Sequence, residues 1–286
     1  MTDEVDEHII EAIGRCRIII QNGKVVEVGE AQIKDCPLAR RFAYPVPDLN
    51  RESVKANIEY RIHSWGMCTP ERVVLGSEEF VGFGASELLS FGLHAGLIDA
   101  VVLACDGAGT VIVHKPALVQ GIGGRMSGLV KTTPYPEVIR RIEENGGVVI
   151  DKVHARLDQE AGVKRAYEMG FKNVAVTVAL PGDAKNIRNM FPGVMIFGVH
   201  VTGLSREEAE LLVSSSDLVT ACASGAIRDV AGKQALVQAG VSIPIFAITS
   251  KGKDLIIRKI SQGKEQILVK TTRLPSLGDQ QPDPLI

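Results

Sequence analysis

The stretch Glu160–Ala179, EAGVKRAYEMGFKNVAVTVA, decides the reading of this chain. Its first half, Glu160 to Met169, reads as an amphipathic helix closed by Gly170, and its second half, Val174 to Ala179, is a short β-branched strand. The same alternation extends in both directions. Further strands are expected at Ala100 to Ala104, Val148 to Ile150, Val194 to Val199, Leu218 to Ala221 and Ile243 to Ile248. Helices are expected at Glu137 to Glu144, Arg206 to Val213 and Ile227 to Gln238. Pro136 opens the first of these, Ser205 and Glu208 form a capping box for the second, and Gly240 follows the third. Alternating short strands and helices predict an α/β fold, a Rossmann-like, largely parallel sheet with helices on both faces. The spacing also suits a (β/α) barrel, but a barrel needs eight such units and the count falls short.

Ahead of this core, Arg15 to Glu30 reads RCRIIIQNGKVVEVGE, two β-rich runs joined at Asn22-Gly23, which favours a tight hairpin. Val54, Ile58, Ile62 and Trp65 then fall at helical spacing, and Gly66 ends the run. These elements define a small N-terminal α+β lobe over residues 1–70, followed by the α/β core over 71–270. Asp254 to Val269 reads as a final antiparallel β-rich stretch. Residues 271–286, with Pro275, Pro282 and Pro284 among polar residues, are expected to form a mobile tail.

A chain of 286 residues that is 45% hydrophobic can bury a large core without disulfides or metal. Its 32 basic and 34 acidic residues form no long block of one sign, which argues against a nucleic-acid partner. The acidic start, Met1 to His8, and the lack of an apolar run of membrane-span length predict a cytoplasmic protein with no membrane partner. Its five cysteines, odd in number and without a C-x-x-C pair, read first as small buried hydrophobes.

In an open α/β sheet the ligand crevice lies beyond the carboxyl ends of the strands. Six segments follow apolar runs there: residues 105–110, Asp151-Lys152, Pro181-Gly182-Asp183, His200 to Gly203, Cys222 to Gly225, and Thr249-Ser250. In the first, Cys105 and Asp106 offer a thiol and a carboxylate, and Gly107, Gly109 and Thr110 offer a binding turn; the same residues equally suit a tight turn between strands, because Val111 to Val113 is again β-like. Residues 120–128, QGIGGRMSG, could wrap an anion with Gly123, Gly124 and Arg125, helped by Ser127, Lys131, Thr132 and Thr133, or form a surface loop. They match neither a Walker loop nor G-x-G-x-x-G.

Cys222 precedes Ser224 and Gly225 at a helix start, a position that favours a thiolate. His200 is the first candidate for acid–base work and His63 the second, each with a structural alternative. Glu87 suits a helix N-terminus without catalysis. Cys36, Cys68, Cys105 and Cys222 could gather as ligands of an iron–sulfur cluster or another thiolate-bound metal, or one or two of them could act as nucleophile or redox thiol beside Asp106 or a histidine.

Taken together, Gly66-Met67-Cys68-Thr69, Phe83 to Glu87, Cys105 to Thr110, Gln120 to Arg125 and Thr220 to Ser224 resemble the archaeal family called methanogenesis marker protein 8, over about His8 to Ile260. The resemblance implies an anaerobic archaeal cytoplasm and a link to methane metabolism. It supplies no mechanism and no catalytic residues. Two readings of function follow. One is an enzyme or cofactor-maturation factor holding a small anionic ligand or a thiolate-bound centre at the strand ends. The other is a non-catalytic assembly or accessory protein for a methanogenic enzyme such as methyl-coenzyme M reductase, or a small-ligand sensor.

Overall fold

A computed structural model describes residues 6–126, 128–264 and 266–286. The acidic residues before Asp6, and Ser127 of the glycine-rich stretch, lie outside the described residues. In chain order, β1 (His8–Glu11), β2 (Arg17–Gln21) and β3 (Lys24–Val28) lead into α1 (Arg51–Trp65) and α2 (Ala85–His94). The chain continues through β4 (Ala100–Cys105), β5 (Gly109–Val113), α3 (Pro116–Gly123), β6 (Leu129–Lys131), α4 (Pro136–Glu144) and β7 (Val148–Val149). Then come α5 (Gln159–Glu168), β8 (Val174–Val178), α6 (Pro181–Met190), β9 (Met195–Gly198), α7 (Arg206–Ser215) and β10 (Leu218–Thr220). The last elements are α8 (Gly225–Gln234), β11 (Val237–Ala239), β12 (Ile245–Ala247) and α9 (Ser250–Gln262).

The strands form a mixed α/β architecture with two sheets, ordered β3-β2-β1-β6 and β11-β12-β10-β9-β8-β4-β5-β7. The larger sheet is parallel only across β4, β8, β9 and β10; β5 and β7 extend it antiparallel on one side, and β12 and β11 on the other. The expected largely parallel sheet is thus a four-strand parallel centre with antiparallel wings. Alternation along β4 shows why the sheet is buried on both faces. Val101, Leu103 and Cys105 pack with Leu88, Leu118, Ile139 and Leu255 from α2, α3, α4 and α9. Ala100 and Val102 pack on the other face with Val163, Ile187, Leu212 and Ile227 from α5, α6, α7 and α8. The Ser205–Glu208 capping box forms at α7.

Three stretches differ from expectation. Residues 250–262 form helix α9, where a β-rich run was expected: Thr249 caps Gly252 N–H, and Leu255 and Ile256 bury one stripe against the sheet. The tail is docked rather than free, with Asp283 bridged to Asp35 and Ile286 N–H donating to Ala223 O at 2.8 Å. The predicted helix over 227–238 ends at Gln234, because the backbone turns extended at Ala235 and residues 237–239 pair with β12.

In the N-terminal lobe, Ile10, Ile18 and Ile20 pack with Val54 and Ile58 of α1. The hairpin turn forms at Asn22-Gly23, both with positive φ. The lobe is not local in sequence, because β6, from the heart of the chain, supplies its edge strand against β1. No helix of the described residues is long and apolar enough to cross a membrane.

Candidate functional site

From β4 the chain runs first through β5 and β7 on one side, then crosses to β8, β9 and β10 on the other. The carboxyl ends of β4 and β8 therefore flank a topological switch point, the usual place for a crevice in an open sheet. Residues from the first part of the chain meet these strand ends, Cys68 at Asp106 and Glu11 at His200.

At the end of β4, Asp106 is fully buried and pairs with Arg72 at 2.8 Å. Its second carboxylate oxygen accepts the Cys68 N–H at 2.7 Å. Gly107 N–H donates to Thr132 Oγ1 at 2.7 Å, and Thr132 also bonds His8 Nδ1 at 2.7 Å. Tyr135 joins this chain through His8 Nε2, Asp6 and the Cys68 carbonyl. Burial pulls the His8 imidazole below its usual range against the charges of Asp106, Asp6 and Glu7, and it pushes the Cys68 and Cys105 thiols well up. Cys105 to Thr110 are thus closed to solvent: the turn joins β4 to β5, with Gly107 and Gly109 at positive φ, and it is the tight-turn alternative that forms. Neither a reactive thiol nor an open binding turn is present there.

At the end of β9, His200 meets Glu11 of β1 at 2.9 Å, and Arg15 supports Glu11 at 3.3 Å. At the end of β10, Cys222 is half-buried; burial pushes its thiol up, opposed by bonds from Thr220 and Val201, the reverse of the lowering expected at a helix start. Ser224 caps α8 through Ile227 N–H, and Gly225 N–H donates to Ile286 O at 3.1 Å. The docked tail therefore fills the cradle expected at Ser224 and Gly225. Cys68, His200 and Cys222 all have positive φ, a conformation that costs non-glycine residues energy and that packed surroundings must hold.

The four cysteines do not converge. Cys105 packs with the first face of the larger sheet and Cys222 against the second, while Cys68 joins Asp106, and Cys36 lies near enough to Cys222 for their charges to interact. Among the described residues no group of three or more His, Cys, Asp or Glu side chains could hold a metal ion. Raised thiols in separate pairs do not fit an iron–sulfur cluster, which needs thiolates around one point. Gln120 to Gly123 are the last residues of α3 and Gly124 caps it, with Arg125 following in a turn. His63 is exposed in the last turn of α1. Glu87 is buried at the start of α2, where its carboxylate accepts from Phe80 N–H and Gln120 Nε2.

One open cleft of about 590 Å³ lies at the switch point, lined by Lys131, Thr132, His154, Arg156, Asp158, Gln159 and Asp183 among others. Asp158 caps α5 through Ala161 N–H, and Pro181 starts α6, placing Asp183 in its first turn. The wall is rigid where it meets the sheet: Thr110 Oγ1 accepts the Asp158 N–H at 2.8 Å and donates to Gln159 Oε1 at 2.6 Å. Burial, reinforced by the charge of Asp158, raises the Asp183 carboxyl. Thr132 links the cleft to the buried His8–Tyr135 chain. A second hollow of about 420 Å³ follows α4, where Lys152 pairs with Glu143 and Arg140 with Glu144.

Sequence reasoning reached Asp183 through its strand-end position and Lys131 and Thr132 through the glycine-rich stretch. It missed His8, Arg72, Tyr135, His154, Arg156 and Asp158. Asp158, three residues before Ala161 at a helix start, had a readable capping signal. The others take their places only through contacts between segments far apart in sequence.

Fold and cleft together define a mixed α/β protein with a polar crevice, of small-molecule size, at the switch point of its larger sheet. The chain belongs to the family described as "Uncharacterized protein conserved in archaea (DUF2099)", whose model matches residues 8–261. It is 42% identical over 285 residues to "Uncharacterized protein MJ0054" of Methanocaldococcus jannaschii, covering 99% of this chain and 100% of that relative. No solved structure matches it.

Proposed function

We propose that this protein binds a small anionic ligand in the switch-point cleft and exchanges a proton with it through Asp183. The observation that carries this reading is the cleft itself, lined by Lys131 of β6, by Arg156 and Asp158 before α5, and by Asp183 in the first turn of α6 after β8. Lys131 is paired with Glu7 at 2.9 Å and Arg156 with Asp151 at 3.3 Å, both at the surface. Exposed pairs of this kind contribute about 0–1 kcal/mol, so a ligand anion displaces Glu7 and Asp151 at little cost. The Asp183 carboxyl, raised by burial and by Asp158, is the group suited to donate a proton. A link to methane metabolism, which the resemblance to methanogenesis marker protein 8 implies, is part of the same proposal, and the organism of the Methanocaldococcus jannaschii relative fits it.

Isothermal titration with pyrophosphate and citrate tests the reading. Binding should weaken at least tenfold in the double variant Lys131→Gln, Arg156→Gln. It should also fall as pH rises through the Asp183 titration, and Asp183→Asn should remove that fall. Absence of binding to both probes, or binding indifferent to the double variant, would overturn it.

A second reading, an accessory protein for a methanogenic enzyme, is favoured by Leu268 and Val269, which are 84% and 81% exposed in a stretch without regular structure. Under that reading, Leu268→Asp should abolish co-purification of one stoichiometric partner from the native host and leave binding in the cleft unchanged.

A further inference from the structure

His8 and Thr132 stand side by side because Ile9 pairs with Lys131 across β1 and β6, and each is the next residue outward on its strand. Thr132 also lines the switch-point cleft. From it a chain of hydrogen bonds runs inward. Thr132 Oγ1 meets His8 Nδ1 at 2.7 Å, and His8 Nε2 meets Tyr135 Oη at 3.0 Å. Tyr135 Oη then reaches the Asp6 carboxylate and, at 3.3 Å, the Cys68 carbonyl. Asp6 is half-buried, so the chain joins the cleft to a second point at the surface.

Counting protons fixes the direction of this chain. The Gly107 N–H has only one role and donates to Thr132 Oγ1 at 2.7 Å. The Thr132 proton then has His8 Nδ1 at 2.7 Å or the Thr133 carbonyl at a marginal 3.5 Å. If Nδ1 accepts it, neutral His8 carries its own proton on Nε2 and donates to Tyr135, which donates to Asp6. Every proton then lies in a good bond. With the His8 proton on Nδ1 instead, Tyr135 donates back to Nε2, its oxygen faces the Asp6 carboxylate with no proton between them, and Thr132 keeps only the Thr133 carbonyl. Within the chain alone the Nε2–H form is therefore the stable one.

An anion against Thr132 changes the count, because it accepts the Thr132 proton and so binds more tightly to the Nδ1–H form, in which that proton is free. We propose that Thr132, His8 and Tyr135 form a tautomer switch that reports anion binding in the cleft to Asp6; the inference rests on the cleft being an anion site. On binding, the Thr132 O–H turns to the anion and His8 exchanges Nε2–H for Nδ1–H. The proton leaving Nε2 passes through Tyr135 and Asp6 to water, and the one reaching Nδ1 comes through Thr132 from water in the cleft, so the net charge is unchanged. Tyr135 then donates to Nε2, and Asp6 keeps the Asn22 N–H as its partner among the described residues.

The full chain, with isotope-labelled histidine rings, is followed by proton–nitrogen NMR at neutral pH, the His8 signals being those lost in His8→Gln. Before anion is added, His8 should carry its proton on Nε2; saturating pyrophosphate should move it to Nδ1. Tyr135→Phe removes the Nε2 acceptor, so His8 should hold its proton on Nδ1 from the outset. Pyrophosphate should then bind about threefold or more tightly than to wild type, since no reversal is needed. A merely structural Tyr135 gives no such gain. Pyrophosphate bound in calorimetry with His8 still protonated on Nε2, an Nδ1 proton before any anion is added, or equal or weaker binding by Tyr135→Phe would overturn the switch and leave the cleft reading standing. No binding to either protein would remove the cleft as an anion site, and the switch with it.

Discussion

Glu11 and His200, 189 residues apart, meet at 2.9 Å and tie the first strand of the smaller sheet to the end of β9 in the larger one. Burial alone would raise the Glu11 carboxyl, but the His200 hydrogen bond and charge, with Arg15 behind them, outweigh it and hold Glu11 below its ordinary value of 4.5. A depressed carboxyl contributes stability above its unfolded value and loses that contribution as pH falls through the folded one. Glu11→Gln should therefore cost about 1 kcal/mol or less at neutral pH, since both side chains are partly exposed, and the cost should shrink as pH falls below 4.5. Urea denaturation across pH 3–7 measures this; an undiminished cost in acid would show that charge plays no part in the contact.

Asp106 predicts a much larger effect. It is fully buried, pairs with Arg72, and accepts the Cys68 N–H. Asp106→Asn leaves a buried guanidinium uncompensated and should destabilise by about 3–5 kcal/mol. The double variant Arg72→Met, Asp106→Leu should recover most of that loss, because no charge then remains buried. Equal unfolding midpoints for the single and double variants would contradict the assignment.

His8 acts with the same sign as Glu11, losing stability as pH falls, but in a higher pH range. Burial depresses its imidazole, which is neutral between Thr132 and Tyr135. The unfolded chain therefore takes up a proton at a higher pH than the folded one, and stability rises with pH until the unfolded value near 6.5 is passed. Thermal midpoints should fall as pH drops from 7 to 5, and His8→Gln should flatten that fall. A slope unchanged in the variant would locate the titration elsewhere.

The distribution of thiol reactivity separates what the sequence could disclose from what it could not. Strand and helix positions were legible because Val174 to Ala179 and Glu160 to Met169 carry their own periodicity, and its place just after a strand put Asp183 among the crevice candidates. The fates of Cys105 and Cys222 were not legible: they depend on which face of β4 the residue occupies and on a tail that returns to Ala223. The 250–262 helix was missed because its buried stripe, Leu255 and Ile256, has two β-favouring neighbours, Ile257 and Ile260. With a thiol reagent at pH 8, Cys36 and Cys222 should label first, and Cys16, Cys68 and Cys105 only on unfolding. Cys16 is fully buried, and burial with the Glu30 charge pushes its thiol up to about 11. Early labelling of Cys105 would mean that the β4–β5 turn opens in solution.

Glycine substitutions test the cleft wall directly. Gly109 has φ of 72°, and a Cβ there would stand 2.3 Å from the Ala155 carbonyl, in the loop that carries His154 and Arg156. Neither backbone can yield easily, since Thr110 N–H donates to Arg156 O at 2.9 Å and Ala155 itself has positive φ. Gly109→Ala should therefore push the 154–158 loop away, cost more than about 2 kcal/mol, and weaken pyrophosphate binding. Gly182, in the first turn of α6 on the other side of the cleft, has open space around its Cβ position and no positive φ. Gly182→Ala should stabilise by about 0.5–1 kcal/mol and leave the ligand affinity unchanged. If both variants behave alike, in melting temperature and in titration, the packing of the β4–β5 turn against the cleft wall is not what shapes the crevice.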